Sequence, residues 1–478
     1  MSFGKDGLMA MADRQIMEEH DISLRGDVAA VACVSNVPSM TRGACPSLSA
    51  PMITGDGLLV RLRPTTPGLT IGQFRALAQA AERHGNGLIE ITARGNLQLR
   101  GMTAENMAGL AEDIAHADII PETGVTIEVP PLSGLDPLEI ADARELAALL
   151  REQIAALDPQ PELAPKLAII IDAGGRLNLD AITADIRLRA ARIAENSTMW
   201  VLAIGGTAQT AKALASLSTG QSIPAIIELL KALALLGPRA RGRDLDVASL
   251  RKQYQSPDVS ALSMADQYVS PTGIHPLGSD RLALGLRPSF GQIHARDLLR
   301  FLAVAEDAGA SEIRAAPEHA ILVLGLDAKA AKAVQLAAAN YGFRTRPDDP
   351  SNHLEVCAGA GACASAFYPT KAAAADLLEL VPELLDGSLT IHLSGCRKGC
   401  AHPGNSALTI VGAPMGYGVV VNGSASSEPV AYIGKEELKS ALAEMNRLVR
   451  NNKVAGESTK ECLTRLGTDA IVTALRQG

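Results

Sequence analysis

One internal repeat limits what this 478-residue chain can fold into more than any other feature. Residues 56–101 align without a gap onto residues 280–325, at a constant offset of 224 positions. Asp56 meets Asp280, Leu58 meets Leu282, Leu62-Arg63-Pro64 meets Leu286-Arg287-Pro288, and Ala81-Glu82 meets Ala305-Glu306; Gly85, Ile89 and Gly101 fall on Gly309, Ile313 and Gly325. Such a chain builds one unit twice, unless the match is a chance likeness between two βαβ-type segments.

Each copy reads as strand, helix, strand, strand. Leu58 to Leu62 alternates as a strand, and Ile71 to His84 carries Phe74, Leu77, Ala78 and Ala81 at helical spacing, with Gly85 just past its end. Leu88 to Ala93 and Asn96 to Arg100 follow as two strands around a turn at Arg94-Gly95. This is half of a ferredoxin-like sheet, and two copies can pair about a pseudo-twofold axis. Between the copies, strands are expected at Leu167 to Asp172 and Met199 to Ile204, and helices at Pro137 to Leu157 and Ile223 to Leu235. The last segment has the same flavour, with strands at Leu389 to Leu393 and Ala407 to Val411 and a helix at Glu436 to Val449. The order is repeat, insert, repeat, insert.

Composition narrows the function classes. A chain with 47% hydrophobic and 20% charged residues buries a core and is not disordered. Aromatics are only 3% and the net charge is −8 with no Lys/Arg block, so nucleic acid is not an expected partner. The apolar stretches Leu167 to Ile171 and Ile226 to Leu236, the latter interrupted by Glu228 and Lys231, fall short of the roughly 20 residues that span a bilayer. No secretory pattern opens the chain, and a cytoplasmic protein without membrane partners is expected.

Among seven cysteines, Cys33, Cys45 and Cys462 are isolated and read as core residues. The other four form two pairs, Cys357-x5-Cys363 and Cys396-x3-Cys400. Four gathered thiolates bind an iron–sulfur cluster or zinc, and unrelated buried thiols are the third reading. The first spacing exceeds the two to four residues usual in zinc knuckles, and its Gly and Ala neighbours leave backbone N–H groups free to approach cluster sulfurs.

The second chemical feature is a row of arginines. The period of two sends Leu97 and Leu99 to one face of their strand and Asn96, Gln98 and Arg100 to the other, with Arg94 at the turn in the same parity. On the neighbouring strand Arg61 and Arg63 share a face opposite Val60 and Leu62. These guanidiniums either bind a polyanionic ligand or pair with local acids on a solvated face. At the repeat offset Arg94, Asn96, Gln98 and Arg100 become Glu318, Ala320, Leu322 and Leu324, Arg61 becomes Gly285, and only Arg63 persists, as Arg287. A duplicated scaffold that kept a ligand face in one copy accounts for this, with Arg314 a candidate contribution from the other. Lys166 and Arg187 taken singly read as surface charges. Arg397 and Lys398, between the last cysteines, can offset cluster charge or touch an anion, and His402 is a core histidine, an iron ligand or a proton donor.

Two ferredoxin-like halves, the strand Thr92-Ala93-Arg94-Gly95-Asn96-Leu97-Gln98 and the late cysteine pairs together resemble the sulfite and nitrite reductase family. The resemblance covers about residues 40 to 470 and implies an α+β fold: two ferredoxin-like half-domains related by pseudo-twofold symmetry plus two sulfite-reductase-type α/β domains for cluster and tetrapyrrole. The implied plan is an N-terminal extension (1–36), a first ferredoxin-like half (37–104), a first sulfite-reductase-like domain (105–255), a second ferredoxin-like half (256–344) and a cluster-binding domain (345–478). It also implies a [4Fe–4S] cluster on Cys357, Cys363, Cys396 and Cys400.

Arg42-Gly43-Ala44-Cys45-Pro46, Asp56 to Arg61, Arg94 to Gln98 and Ser394 to Pro403 look like the oxygen-dependent branch that converts precorrin-3A to precorrin-3B in aerobic cobalamin synthesis. That likeness implies an oxidoreductase, a monooxygenase hydroxylating C20 of the tetrapyrrole with γ-lactone formation, with O2 and NADH consumed and an electron-donating reductase as partner. It also implies a mononuclear non-haem iron, for which no two-His-one-carboxylate pattern is visible. Carried over, the substrate-binding set is Arg61, Arg63, Arg94, Asn96, Gln98, Arg100, Lys166, Arg187, Arg287, Arg314 and Arg397, with His402 the catalytic candidate. The alternatives are a siroheme-dependent assimilatory sulfite or nitrite reductase, and a non-enzymatic electron carrier.

Overall fold

The computed structural model describes residues 46–194, 197–254, 269–278 and 281–478. Cys33, Cys45, Asp280, the motif residues Arg42 to Cys45 and the whole 1–36 extension lie outside the described residues.

Each repeat copy forms an antiparallel sheet. The first runs Met52–Thr54, Gly57–Leu62, Leu97–Met102, Leu88–Ile91 in spatial order, and the second runs Gly273–Pro276, Leu282–Pro288, Ala320–Leu326, Glu312–Ala316. The expected helix spans Ile71–His84, and its counterpart is Ala295–Asp307. Thr70 starts the former with a reciprocal capping box to Gln73, and its buried face is Phe74, Leu77, Ala78 and Ala81, the residues that periodicity selects.

Two short strands then cross between the copies. Leu69–Thr70, from the first copy, adds to the second sheet, while Gln292–His294, from the second copy, adds to the first. Leu69 lies opposite Ile313 and Ile293 opposite Ile89, two pairings that the repeat offset maps onto each other. The exchange makes the pseudo-twofold relation physical, because each sheet is complete only with the other's strand. Phe74, Leu77 and Leu99 of one copy therefore share a single core with Leu298, Phe301 and Val323 of the other.

The inserts repeat as well. In the first, Thr126–Glu128, Ala168–Asp172 and Ala184–Ala194 run parallel, followed by antiparallel Ser197–Gly206 and Lys212–Leu217. In the second, Leu354–Val356, Ile391–Ser394 and Ser406–Ala413 run parallel, followed by antiparallel Gly416–Gly423 and Ala431–Gly434. Helices Ala143–Ala155 and Thr370–Leu380 occupy equivalent crossovers, and Thr219–Leu236 and Leu438–Asn452 follow the last strands.

Three expectations needed correction. The helix expected from Pro137 starts at Ala143, because Asp142 accepts the Arg144 and Glu145 N–H groups as N-cap and the residues before it form turns. The strand Ala184–Ala194 escaped notice because Arg187, Arg189 and Arg192 interrupt its apolar pattern. Thr219–Leu236 is longer than the apolar run anticipated, and by length and composition it could cross a membrane. Here Ile223, Ile226, Leu229, Leu230 and Leu233 bury its inner side against the insert sheet.

Candidate active site

The outer side of the first sheet carries the expected polar row. From Arg94 to Arg100 this strand side is about 20 Å long at the usual rise per residue. Its guanidiniums are all engaged. Arg61 donates to Gln98 Oε1 (2.8 Å), and Arg63 donates to Asn96 Oδ1 (2.8 Å) and pairs with Glu122 and Glu128. Arg94 pairs with Glu128 and donates to the Thr183 carbonyl (2.8 Å). Arg100, almost fully buried, pairs with Asp56 and Glu90. Burial alone would raise the Asp56 pKa, but hydrogen bonds from Arg100 and Thr54 hold it below its ordinary value. The row is thus a half-buried charge lattice.

The second copy presents the opposite surface. Ala283, Ala316, Ala320, Leu322 and Leu324 occupy the positions of Leu59, Thr92, Asn96, Gln98 and Arg100, and they form an apolar cluster sealed by Leu132 and Leu177 of the first insert. Arg314, opposite Leu322, is satisfied by Glu312 and by the Pro131 and Ser133 carbonyls. One copy keeps a polar face and the other buries its equivalent.

A cavity of about 690 Å³ meets one end of the polar face, where Arg63, Arg94, Asn96, Glu128, Arg144 and Arg151 line it. None of the four late cysteines lines it. They approach the other end, where Arg100 Nη2 donates to the carbonyl of Ala362, inside the Cys357-x5-Cys363 loop. The cavity and the cysteine loops therefore lie at opposite ends of one strand.

The four thiols come from two loops of the second insert. Cys357 directly follows the Leu354–Val356 strand, and Cys396 comes just after the adjacent Ile391–Ser394 strand, so parallel pairing of those strands brings the loops together. The Gly395 N–H donates to Cys357 Sγ (3.1 Å), and a Cβ on Gly395 would lie 2.5 Å from that of Ala366. Only glycine permits this approach. Burial and then the neighbouring Cys396, Cys357 and Cys363 raise the Cys400 pKa, as crowding of thiols with no bound metal does. None of the four is in a disulfide. Among the described residues no three His, Cys, Asp or Glu groups converge as the ligands of a single ion would. Four thiols on two adjoining loops, Cys400 within electrostatic reach of the other three and a backbone N–H already aimed at the Cys357 sulfur, form a donor set that suits an iron–sulfur cluster.

Beside these loops stands a group of residues that sequence reasoning missed. His392 is fully buried on the strand leading to Cys396, neither ring nitrogen has a hydrogen-bond partner, and its ring lies 5.8 Å edge-on from that of His402. Burial and then His402 push its pKa down to about 4. Glu355, its partner across the parallel strands, is held at about 2: burial opposes ionisation, but His319, Arg287 and His402 outweigh it. Lys371 and Glu90 belong to the same neighbourhood, 3.8 Å apart. Their only sequence signal was proximity to a cysteine loop or to the arginine strand.

The remaining candidates are dispersed. Arg187 is buried and donates to the Leu179 and Ile182 carbonyls, its Nε lacks a partner, and burial lowers its pKa. Arg189, which the sequence reading passed over, pairs with Asp180 and Asp172. Lys166 is exposed, with its carbonyl accepting from Arg241. Arg287 donates to the Asn352 carbonyl and pairs with Glu355, whereas Arg397 is exposed and pairs with Glu428. Lys398 donates to Ser365 Oγ, His402 is bonded through Nε2 to the Asn405 carbonyl, and Cys462 is buried.

Comparison with known proteins supplies the context. The nitrite/sulfite reductase ferredoxin-like half-domain model matches residues 50–117. The chain is 49% identical to a precorrin-3B synthase of Sinorhizobium sp over 97% of its own length and 99% of the relative's. It is 23% identical to a ferredoxin–nitrite reductase of Synechococcus elongatus, over 76% of this chain and 78% of that one. Among solved structures, the NirA protein of Mycobacterium tuberculosis has the same fold, with a TM-score of 0.70 at 18% identity across 87% of this chain and 84% of that one.

Proposed function

The chain belongs to the nitrite/sulfite reductase family, and on that premise we propose that it converts precorrin-3A to precorrin-3B, using an iron–sulfur cluster and molecular oxygen. The observation that carries this reading is the join between the two halves of the site. Arg100 reaches from the polar face to the Ala362 carbonyl inside the first cysteine loop, so a macrocycle lying along that face runs from the cavity end toward the cysteines.

The division of labour follows from the residues. Cys357, Cys363, Cys396 and Cys400 hold the [4Fe–4S] cluster, which when bound supplies single electrons. Arg61, Arg63 and Arg94, with Asn96 and Gln98, receive the carboxylates of the macrocycle. They exchange bonds to Glu128 and Gln98 for bonds to substrate, and Arg187 brings an unpaired Nε to the same region. Arg100 stays bound to Asp56 and Glu90 and positions the loop rather than the ligand. Fixing a rigid macrocycle by several charged anchors turns attack at one meso carbon into an oriented event. The apolar cluster over Leu322 and Leu324 leaves no second copy of the site to compete.

The overall change is hydroxylation of C20 and closure of the ring A acetate into a γ-lactone. One atom of O2 enters product, the other leaves as water, and two electrons come from NADH through a separate reductase. A mononuclear non-haem iron belongs to this reading, and among the described residues no two-His-one-carboxylate group converges to hold it. The 49% relative supports this over the siroheme reductase reading.

Anaerobically purified protein with precorrin-3A, O2 and an NADH-driven reductase should consume oxygen and yield the lactone by mass spectrometry. Its resting spectrum should be a broad cluster shoulder. Strong visible siroheme bands with sulfite or nitrite reduction would replace the proposal with the reductase.

A further inference from the structure

Lys371 is the second residue of the Thr370–Leu380 helix, directly after the loop that holds Cys357 and Cys363. Thr370 ties that position to the loop by donating to the Cys357 carbonyl (2.8 Å). Part of the lysine stem is exposed, but Nζ is closed off from solvent and has no hydrogen-bond partner. Its nearest counter-charge, Glu90 Oε1 at 3.8 Å, is beyond hydrogen-bond reach. Glu90 is already committed, accepting from Gln98 (2.8 Å), Arg100 (3.1 Å) and Gln292.

A buried ammonium without a hydrogen bond is costly, and packing alone would be served as well by Met or Leu. Burial brings its pKa down to about 8, with Glu90 and then Cys357 opposing that fall, so the amine is still mostly charged at neutral pH. The negative groups that face it are Glu90, Cys357 and Asp56, and the other cation in range is Arg100. Charge at this spot sits between the cysteine loop and the polar face.

We propose that the Lys371 ammonium raises the reduction potential of the group held by the four cysteines, as a buried cation offsetting the charge of the thiolates and of Glu90. The inference rests on the cluster reading above. A cluster gains one negative charge on reduction, and a nearby cation in a poorly screened site favours the reduced form. Lys371 is a positioning residue for charge, touching neither substrate nor the reacting atoms.

The test is a redox titration of anaerobically prepared holoprotein with dithionite and mediators, followed by electron paramagnetic resonance. Lys371→Met should move the midpoint negative with iron and sulfide content unchanged, and Lys371→Arg should restore it. Lys398→Met, at an exposed amine, should shift it less because water screens that charge. A Lys371→Met protein with a full cluster and the wild-type midpoint overturns the proposal. If that variant loses its cluster, Lys371→Gln, which keeps a polar head without the charge, decides: its midpoint should move negative, and an unchanged value overturns the inference. Wild-type protein without iron and sulfide would instead sink the cluster reading itself together with this one.

Discussion

Arg100 holds Asp56 in a two-point grip, Nε to Oδ2 at 3.0 Å and Nη2 to Oδ1 at 2.9 Å, with the arginine side chain only 4% exposed. Asp56 opens the first repeat copy and Arg100 stands one residue before its end, so the grip clasps the two ends of one unit while the same guanidinium reaches the Ala362 carbonyl. Arginines that look alike along the strand therefore have different duties.

Arg100→Ala should destabilise the fold by about 3–5 kcal/mol, the usual cost of stranding a buried carboxylate partner. Arg94→Ala, on a side chain 31% exposed, should leave stability within about 1 kcal/mol and weaken tetrapyrrole binding instead. Denaturant unfolding and equilibrium titration with a tetrapyrrole polycarboxylate separate the two. Full turnover in the Arg94→Ala, Arg61→Ala double variant would remove the arginine face from the binding site.

Leu322 stands where the first copy has Gln98, and it is completely buried among Leu324, Ala283 and Leu132. Leu322→Ala should cost about 2–5 kcal/mol, as cavity-forming core truncations do. Leu322→Gln, which restores the polar residue of the other copy, should cost at least as much because its amide finds no partner there. Equal stability of Leu322→Gln and wild type by thermal unfolding would mean that this face is open.

Gly95 turns the arginine hairpin at φ +76°, and a Cβ there would meet the Ala316 carbonyl carbon at 2.7 Å. Gly124 has the same φ, +77°, with nothing near. Gly124→Ala should lose only the left-handed penalty of about 1–2 kcal/mol, and Gly95→Ala more than that, since backbone of the second copy must also move. Urea midpoints of the two variants give the comparison.

Asp386 accepts from Lys453 Nζ, the Ser388 hydroxyl and the Thr459 N–H, fastening its loop to the C-terminal helix Thr459–Gln477. Burial works against its ionisation, but these bonds win and hold its pKa below the ordinary 3.8. A carboxyl depressed in the folded state stabilises the protein above its unfolded pKa and loses that contribution as pH falls through the folded one. Asp386→Asn should therefore reduce stability at pH 7 and flatten the loss between about pH 5 and pH 1. A pH series of unfolding midpoints that stays parallel to wild type would contradict this.

On the proposed cluster, Cys396→Ser should abolish the broad visible absorption and remove most of the iron and acid-labile sulfide, expected at about four of each per chain. Cys462→Ser, buried in the C-terminal helix, should leave both unchanged. Iron and sulfide assays on freshly purified protein give the answer.

Much of the first sheet was legible because its information is local. The helix Ile71–His84 follows from 3.6-residue spacing and a Thr70 cap, and the sides taken by Leu97, Leu99, Gln98 and Arg100 follow from strand parity. The two cysteine pairs announce themselves by spacing. Less legible was what answers each charge. Asp56, Glu90, Glu122 and Glu128 come from other strands and loops, and nothing in the spacing of the arginines names their partners. His392 and Glu355, separated by a helix and several turns in the chain, become neighbours only through parallel strand pairing.

Residue order alone determined that a unit occurs twice, that one copy is charged where the other is apolar, and that four thiols come in two groups. Tertiary structure decided the exchange of Leu69–Thr70 for Gln292–His294, the sealing of the apolar face by Leu132 and Leu177, and the placement of Lys371 between the cysteines and Glu90. The physical reason is range. Backbone geometry makes periodicity readable over a few residues, whereas contacts between segments more than two hundred residues apart depend on which surfaces exclude water together, and that is settled only when the whole chain packs.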